Sequence, residues 1–330
     1  MHVRILVVGL GGIGRRHARN LRALDPELRL ACCRRPGVAS VDEDGLFEDR
    51  FSSIGAALSW RPDAAVVATP AALHLEVALA LAEQGAHLFI EKPLSHSVDG
   101  IDRLLDTCRV RGLVLTVGYN LRFDSRLRAI RDALVRGRIG RLLTISAEAG
   151  QFLPEWRRDR DYRESASARR ALGGGALLEL SHELDYVRWL SGEVATVSAR
   201  ASRVSDLEID VEDTAEVTLG FVTGAIGHVH VDMIDRAPRR GCRVVGSTGT
   251  LQWDALAGQA RLAGDAGPWS SLCGESRDDR NASYLEEMRC FLACVKQGGS
   301  PAVSGEEGRR VVEIALAARR SAETGQTVRV

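Results

Sequence analysis

The stretch Val3-Arg4-Ile5-Leu6-Val7-Val8-Gly9-Leu10-Gly11-Gly12-Ile13-Gly14 decides how the fold is read. Its opening is a short apolar run broken only by Arg4, the pattern of a strand buried on both faces. The glycine-rich half spells G-x-G-x-x-G, and after it Ile13, Ala18, Leu21 and Leu24 recur at helical spacing until Asp25-Pro26 stops the helix. Strand, glycine turn and helix in that order form a dinucleotide-binding fingerprint. Gly9, Gly11, Gly12, Ile13 and Gly14 are therefore the candidate pyrophosphate contacts. Glycine permits the tight turn and lets backbone amides at the positive end of the helix approach the phosphates.

Outward from this stretch, apolar runs at 28–33, 64–68, 87–91 and 113–118 alternate with helical patterns at 72–84 and 97–111. That alternation predicts a parallel sheet with helices on both faces. Near residue 120 the rhythm changes. A helix over 125–136, a strand over 142–149, an irregular stretch over 150–172 and a helix over 176–190 come first. Strands at 195–204, 214–221, 225–233, 242–246 and 250–253 follow, joined by turn signals such as Val222-Thr223-Gly224. Helices at 284–297 and 306–321, separated by Gly298-Gly299-Ser300-Pro301, close the chain. The expected architecture is α/β: an N-terminal Rossmann, doubly wound parallel sheet over 1–120, then an α/β domain over 121–330 with a mostly antiparallel open sheet.

Composition excludes several function classes. The 44 basic and 44 acidic residues among 330 cancel, leaving no global field to draw the chain onto nucleic acid or an anionic membrane. No apolar run approaches the roughly 18 residues of a membrane span, and the first residues lack the build of a signal peptide. Seven cysteines, an odd number without CxxC or zinc spacing, read as free and mostly buried thiols in a reducing, cytoplasmic compartment. His228, His230 and Asp232 share one face of a strand, but nothing supplies the remaining ligands, so no metal site is expected.

Two arginines and one lysine carry the chemical expectations. An NAD site usually places a carboxylate at the end of the second strand, where this chain has Arg34-Arg35. Guanidiniums there suit a 2′-phosphate, so NADP is favoured, with NAD also accommodated. The alternative is a solvated basic turn. Thr69-Pro70, Glu91-Lys92-Pro93 and Tyr119-Asn120 each follow a strand, which in an open parallel sheet puts them on the carboxyl edge with the cofactor. Lys92 is one of only two lysines among 44 basic residues. Arginine cannot exchange a proton at neutral pH and lysine can, so its retention here points to proton transfer beside the nicotinamide. The alternative is a structural ion pair with Glu91.

The irregular stretch offers Phe152, Trp156 and Tyr162 as faces for a sugar ring or base. It also offers Arg157, Arg158, Arg160, Arg163, Arg169 and Arg170 as anion contacts. A substrate bearing a carboxylate or phosphate follows, with Trp156, Arg157 and Tyr162 as contacts beside Tyr119, Asn120 and Arg122. The alternative is an interface loop whose arginines are offset by Glu155, Asp159, Asp161 and Glu164.

Gly9 to Gly14, Thr69-Pro70 with His74, Glu91-Lys92-Pro93, and Gly173-Gly174-Gly175 followed by a His-x-x-Asp helix together resemble the glucose-fructose oxidoreductase/inositol dehydrogenase (Gfo/Idh/MocA) family. The resemblance extends to Ser321-Ala322-Glu323-Thr324-Gly325. It implies hydride transfer between a nicotinamide and a carbinol or carbonyl carbon of a sugar, cyclitol or sugar-nucleotide derivative. Thr69, Pro70, His74, Glu91 and Lys92 would then lie along the cofactor. Lys92 would act on the substrate oxygen and His182 would assist or relay the proton. Family members commonly carry Asp four residues before that histidine, whereas here Glu179 precedes His182 by three, as Glu-Leu-Ser-His. Offsets of three and four share a helix face, so Glu179 remains a candidate substrate contact. Asp185, three residues beyond, is a candidate to orient the imidazole. The resemblance also implies a homodimer or homotetramer through the open face of the second sheet. Two alternatives stay open: a nicotinamide-dependent glycosidase that retains its cofactor, as some of the family are, and a non-catalytic dinucleotide sensor.

Overall fold

The computed structural model describes residues 3–34, 45–158, 160–264, 267–273 and 281–330. It divides into two units, one of residues 1–119 with 284–310, the other of 120–283 with 311–330.

In the first unit, β1 (Arg4–Val8), β2 (Arg29–Cys33), β3 (Asp49–Phe51), β4 (Ala64–Val67), β5 (His87–Glu91) and β6 (Leu115–Gly118) form one sheet in the order β3-β2-β1-β4-β5-β6. Every neighbouring pair is parallel. Helices α1 (Gly12–Leu24), α2 (Ile54–Leu58), α3 (His74–Glu83) and α4 (Ile101–Arg111) connect the strands. β3 and α2 escape the sequence patterns because each is very short and only partly buried, so neither carries a full period of apolar residues. The strand order reverses between β1 and β4, and in open sheets of this kind that switch point at the carboxyl edge is the ligand crevice.

The core of this unit corrects the domain boundary expected from sequence. Ile5, Val7, Leu30, Val66 and Phe89 are buried together with Met288, Phe291 and Leu292 of the helix Ala282–Gln297. Residues 284–310 thus return to the first unit rather than extending the second. The apolar spacing of that helix reveals a buried face, but spacing carries no information about which sheet the face meets.

The second unit is built from α5 (Ser125–Val135), β7 (Leu142–Gly150), α6 (Leu153–Trp156), α7 (Ala176–Glu179), α8 (His182–Ser191), β8 (Val194–Ser202), β9 (Thr214–Phe221), β10 (Ile226–Asp232), β11 (Arg239–Gly246), β12 (Gly249–Asp254), β13 (Gln259–Gly264), β14 (Ser270–Ser271) and β15 (Val328–Arg329). Its strands form a sheet in the order β14-β13-β12-β11-β7-β10-β9-β8-β15. Only the β7–β10 pairing is parallel. Ala215, Val217, Leu219 and Phe221 of β9 point to the buried face and alternate with exposed or half-exposed neighbours, as a sheet covered on one side requires. Tyr186 ties α8 to that covered face: its hydroxyl donates to the Gly241 carbonyl (3.2 Å) and its ring meets Trp253 edge-on at 5.5 Å. On the same sheet His228 and His230 meet Glu216 at 3.0 and 2.6 Å, and His230 also meets Asp232 at 2.8 Å.

The single helix expected over 176–190 is two helices. Leu180 leaves helical geometry (φ −100°, ψ 32°), ending α7, and α8 restarts at His182. No glycine or proline marks this break, so periodicity ran straight through it. The last long helix, α10 (Gly305–Thr324), follows Ala282–Gln297, which is α9. No helix among the described residues is long and apolar enough to cross a membrane.

Candidate active site

The glycine turn stands at the switch point for reasons its neighbours make explicit. Gly9 has φ +92°, and a Cβ there would lie 2.6 Å from the Ala68 carbonyl oxygen. A Cβ on Gly14 would lie 2.0 Å from the Gly9 carbonyl oxygen, so this glycine lets α1 close onto its own turn. Gly11 and Gly12 differ, because a Cβ on either would meet nothing within 4 Å. Their glycine identity leaves open space in front of the first turn of α1, which carries no acidic residue and no side-chain cap. Ile13 is half-buried at the start of the same helix. Beside the turn, the Thr69 hydroxyl is buried without a hydrogen-bond partner. Uncapped amides, an open approach and an unsatisfied hydroxyl fit a dinucleotide at this turn.

The segments that follow β4 and β5 are braced from within the unit. Pro70 opens a 3-10 turn that leads into His74. The His74 ring is buried, with Nδ1 2.9 Å from the Pro93 carbonyl and Nε2 2.7 Å from the Thr69 carbonyl. Burial holds its pKa below the ordinary 6.5 against the pull of those carbonyls. His74 thus spans the Thr69-Pro70 and Lys92-Pro93 segments through their backbones, where sequence had suggested a direct cofactor contact. The Lys92–Pro93 peptide is cis. Lys92 follows β5 directly and is half-buried. Glu91 is buried; its Oε1 lies 2.5 Å from His17 Nε2 and its Oε2 accepts from the Lys92 amide at 3.2 Å. Arg34 comes straight after β2, where its amide donates to the Phe51 carbonyl at 3.1 Å. Arg35 and Asp159 lie outside the described residues.

Tyr119, expected to touch substrate, is fully buried at the end of β6. The position after the strand was read correctly, but a ring with no exposed surface offers none to a ligand.

In the second unit, His182 is the buried first residue of α8. Asp185, expected to orient it, directs both carboxylate oxygens at Arg122: Nε approaches at 2.9 and 3.1 Å and Nη2 at 2.7 Å. Arg122 was expected to meet substrate and is instead buried in this bidentate pair, which joins α8 to the 3-10 turn Asn120–Phe123. Asn120 is also buried and donates to Ser283 Oγ at 2.8 Å. Glu179, at the end of α7, accepts from Ser167 Oγ at 3.0 Å.

The irregular stretch contains α6 and three short 3-10 turns at Tyr162–Glu164, Ala166–Ala168 and Arg170–Leu172. Two of its arginines are matched by acids nearby. Arg163 meets Asp161 at 2.8 Å and Glu208 at 3.1 Å, and Arg158 meets Glu155 at 3.7 Å. Arg163 in turn holds the Asp161 carboxyl below its usual range. Half-buried Trp156 donates to the Gln151 carbonyl at 2.9 Å, Tyr162 Oη accepts from the Glu208 amide at 3.2 Å, and Arg157 is exposed.

Three functional supports were missed. His17 carries no distinct signal in the sequence pattern, being one of several polar residues on α1. Glu212 caps α7: its Oε1 accepts from Leu177 N (3.3 Å) and from Arg319 Nη2 (3.0 Å), while its carbonyl accepts from Ala176 N. Asp213 is fully buried and accepts from Val204 N, Ser205 N and Ser205 Oγ. The adjacent acids Glu212-Asp213 directly before a strand were the available signal. All seven cysteines are free and five are buried. Burial pushes the thiols of Cys108 and Cys242 up to about 11 and about 12, so neither supplies a thiolate near neutral pH.

A parallel sheet in this order, with its glycine turn at the switch point and a lysine after the fifth strand, defines the class of dinucleotide-binding oxidoreductases. A family model described as "Oxidoreductase family, NAD-binding Rossmann fold" matches residues 3–119, and one described as "GFO/IDH/MocA C-terminal domain" matches residues 127–252. Myo-inositol 2-dehydrogenase of Thermotoga maritima is 30% identical over 354 residues, spanning 99% of this chain and 98% of that protein. The structure of GenD2 from gentamicin A biosynthesis, in complex with NAD, superposes with a TM-score of 0.85 at 28% identity, covering 100% of this chain and 96% of that one. Levoglucosan dehydrogenase in complex with NADH shares the fold, with a TM-score of 0.91 at 22% identity and coverage of 100% and 99%. The chain belongs to the Gfo/Idh/MocA family of NAD-binding oxidoreductases.

Proposed function

We propose that this protein is a dehydrogenase or reductase that interconverts a secondary alcohol and a carbonyl on a sugar or cyclitol. The observation that carries this reading is the placement of Lys92, one of only two lysines, directly after β5 on the same sheet edge as the glycine turn. When bound, a nicotinamide dinucleotide supplies the hydride acceptor or donor. Gly9, Gly11, Gly12, Ile13 and Gly14 hold its pyrophosphate, with the Thr69 hydroxyl as a further donor. Lys92 takes the proton from the substrate hydroxyl in oxidation and returns it in reduction, and His182 assists that exchange. His74 acts as a positioning residue for the Thr69 and Lys92 segments. The whole-length similarity to a myo-inositol 2-dehydrogenase supports a polyol ring as substrate. The local pairing of Arg158 and Arg163 with acids favours an uncharged polyol over the anionic sugar that the arginine count suggests.

Replacing Lys92 by Ala should lower kcat for polyol oxidation by roughly 10²- to 10⁴-fold, the usual span for one acid–base group, while leaving the dinucleotide Kd unchanged. Full activity in that variant would overturn the reading.

For the cofactor, the reading is a preference for NADP. It rests on Arg34 standing just beyond β2, a strand with no carboxylate of its own, where an NAD site would place an acid. Titration of nicotinamide fluorescence with NADPH and NADH tests it. Tighter binding of NADPH is expected, and tighter binding of NADH would mean that Arg34 does not meet the ribose.

A further inference from the structure

His17 and Glu91 are 74 positions apart in sequence and form a buried pair that the reaction as read above does not use. His17 lies on α1, the helix that the glycine turn opens, and is fully buried, while Glu91 is 7% exposed at the end of β5. His17 Nε2 stands 2.5 Å from Glu91 Oε1, and the edge of Phe89 closes on the imidazole with ring centroids 4.9 Å apart. The other ring nitrogen, Nδ1, is buried and has no hydrogen-bond partner. With Nδ1 unpartnered, the tautomer that donates from Nε2 to Glu91 is the arrangement that leaves least unsatisfied. The second oxygen of the same carboxylate accepts from the backbone amide of Lys92 at 3.2 Å. A continuous chain of two hydrogen bonds thus runs from the cofactor helix to the residue that exchanges the substrate proton.

We propose that His17 is a positioning residue: by holding the Glu91 carboxylate it fixes the backbone of Lys92. The proposal rests on the reading of Lys92 as the proton-exchanging group. Packing alone would ask only for a side chain of this volume at position 17. Positioning asks for a donor at the place of Nε2. Gln supplies an amide N–H about as far along the side chain as Nε2, whereas Asn reaches only the place of Nδ1, and Phe supplies no donor.

The chain's two lysines make the test direct, because Lys92 and Lys296 can be followed separately by mass spectrometry in one digest. Full-length protein is acylated over pH 6–10 with an amine-specific reagent, and Lys296 serves as the internal reference. In His17→Phe the Glu91 carboxylate loses the donor that holds it, its hydrogen bond to the Lys92 amide loosens, and Lys92 is acylated faster across the pH range. At fixed pH this appears as a several-fold rise in the Lys92/Lys296 ratio. His17→Gln should restore the wild-type profile. In the same variants kcat for polyol oxidation should fall by roughly 10- to 100-fold in His17→Phe, the cost of one lost hydrogen bond to a charged group, and recover in His17→Gln with the dinucleotide Kd constant throughout. Should His17→Phe fail to fold, His17→Asn carries the test and should behave as the donorless variant. A wild-type Lys92 profile in the folded donorless variant overturns the proposal, as does a His17→Gln profile no different from it. Failure of the catalytic reading shows separately, as a Lys92→Ala variant that still oxidises the polyol while the labelling result stands.

Discussion

Lys92 was legible because composition isolates it and His74 through the family resemblance, whereas His17 was not, because a buried histidine is defined by the atoms around it. For His74 that surrounding has a measurable consequence. Its folded pKa lies below the ordinary 6.5, chiefly from burial, so the unfolded chain binds the proton more readily than the folded one. Stability from this group is complete above about pH 6.5 and is lost as pH falls below that value toward the folded pKa. His230 runs the other way: Asp232, the largest cause, and Glu216 raise its pKa above 6.5. Its contribution is complete below about 6.5 and fades as pH rises through the folded value. Urea titrations from pH 5 to 8 should show the acid-side loss of stability flatten in His74→Asn, while His230→Gln should flatten the decline on the alkaline side. Identical pH profiles for both variants and the wild type would remove histidine titration as the cause.

At the level of elements, two glycines in one turn make separable predictions. Gly14→Ala presses a Cβ to 2.0 Å from the Gly9 carbonyl, and backbone cannot yield as a side chain can. It should cost about 1–3 kcal/mol or more in denaturant unfolding. Gly11→Ala meets no atom within 4 Å, at a negative φ that alanine accepts, so its midpoint should barely move. Its loss should appear in dinucleotide affinity, because the added methyl narrows the open approach to the turn. A motif match treats these glycines as equivalent, and only the packing tells them apart. The start of α7 depends on packing in the same way, since a distant segment holds it. Gly175 has φ +106° and would drive a Cβ to 2.3 Å from Glu212 Oε1, the same oxygen that accepts from Leu177 N and Arg319 Nη2. Glu212→Ala removes the cap on α7 and leaves the largely buried Arg319 without its carboxylate. A loss of about 3 kcal/mol is expected, measured by urea unfolding of the full chain; a change below about 0.5 kcal/mol would show that α7 forms without it.

At the scale of the whole molecule, the alternation of apolar runs was enough to assign a parallel sheet followed by a mostly antiparallel one, because strand type is written in local spacing. The return of residues 284–310 to the first unit was not, because it depends on which of two sheets receives one apolar helix face. That return has a consequence for any attempt to treat 1–120 as an independent dinucleotide-binding domain. Phe291 is fully buried against Phe89, with ring centroids 5.6 Å apart, and shares a core with Ile5, Val7 and Val66. Phe291→Ala removes an aromatic ring from that core, at an expected cost of about 3–5 kcal/mol. Hydrogen exchange should locate the loss. Protection should fall across β1, β4 and β5, more than 190 residues away in sequence, and hold in β9 and β10 of the second unit. If position 291 instead belonged to the second unit, the pattern would invert, with β9 and β10 exchanging faster and β1 unchanged. Because the glycine turn leaves β1 directly, the same variant should bind a nicotinamide dinucleotide more weakly although the turn itself is unaltered.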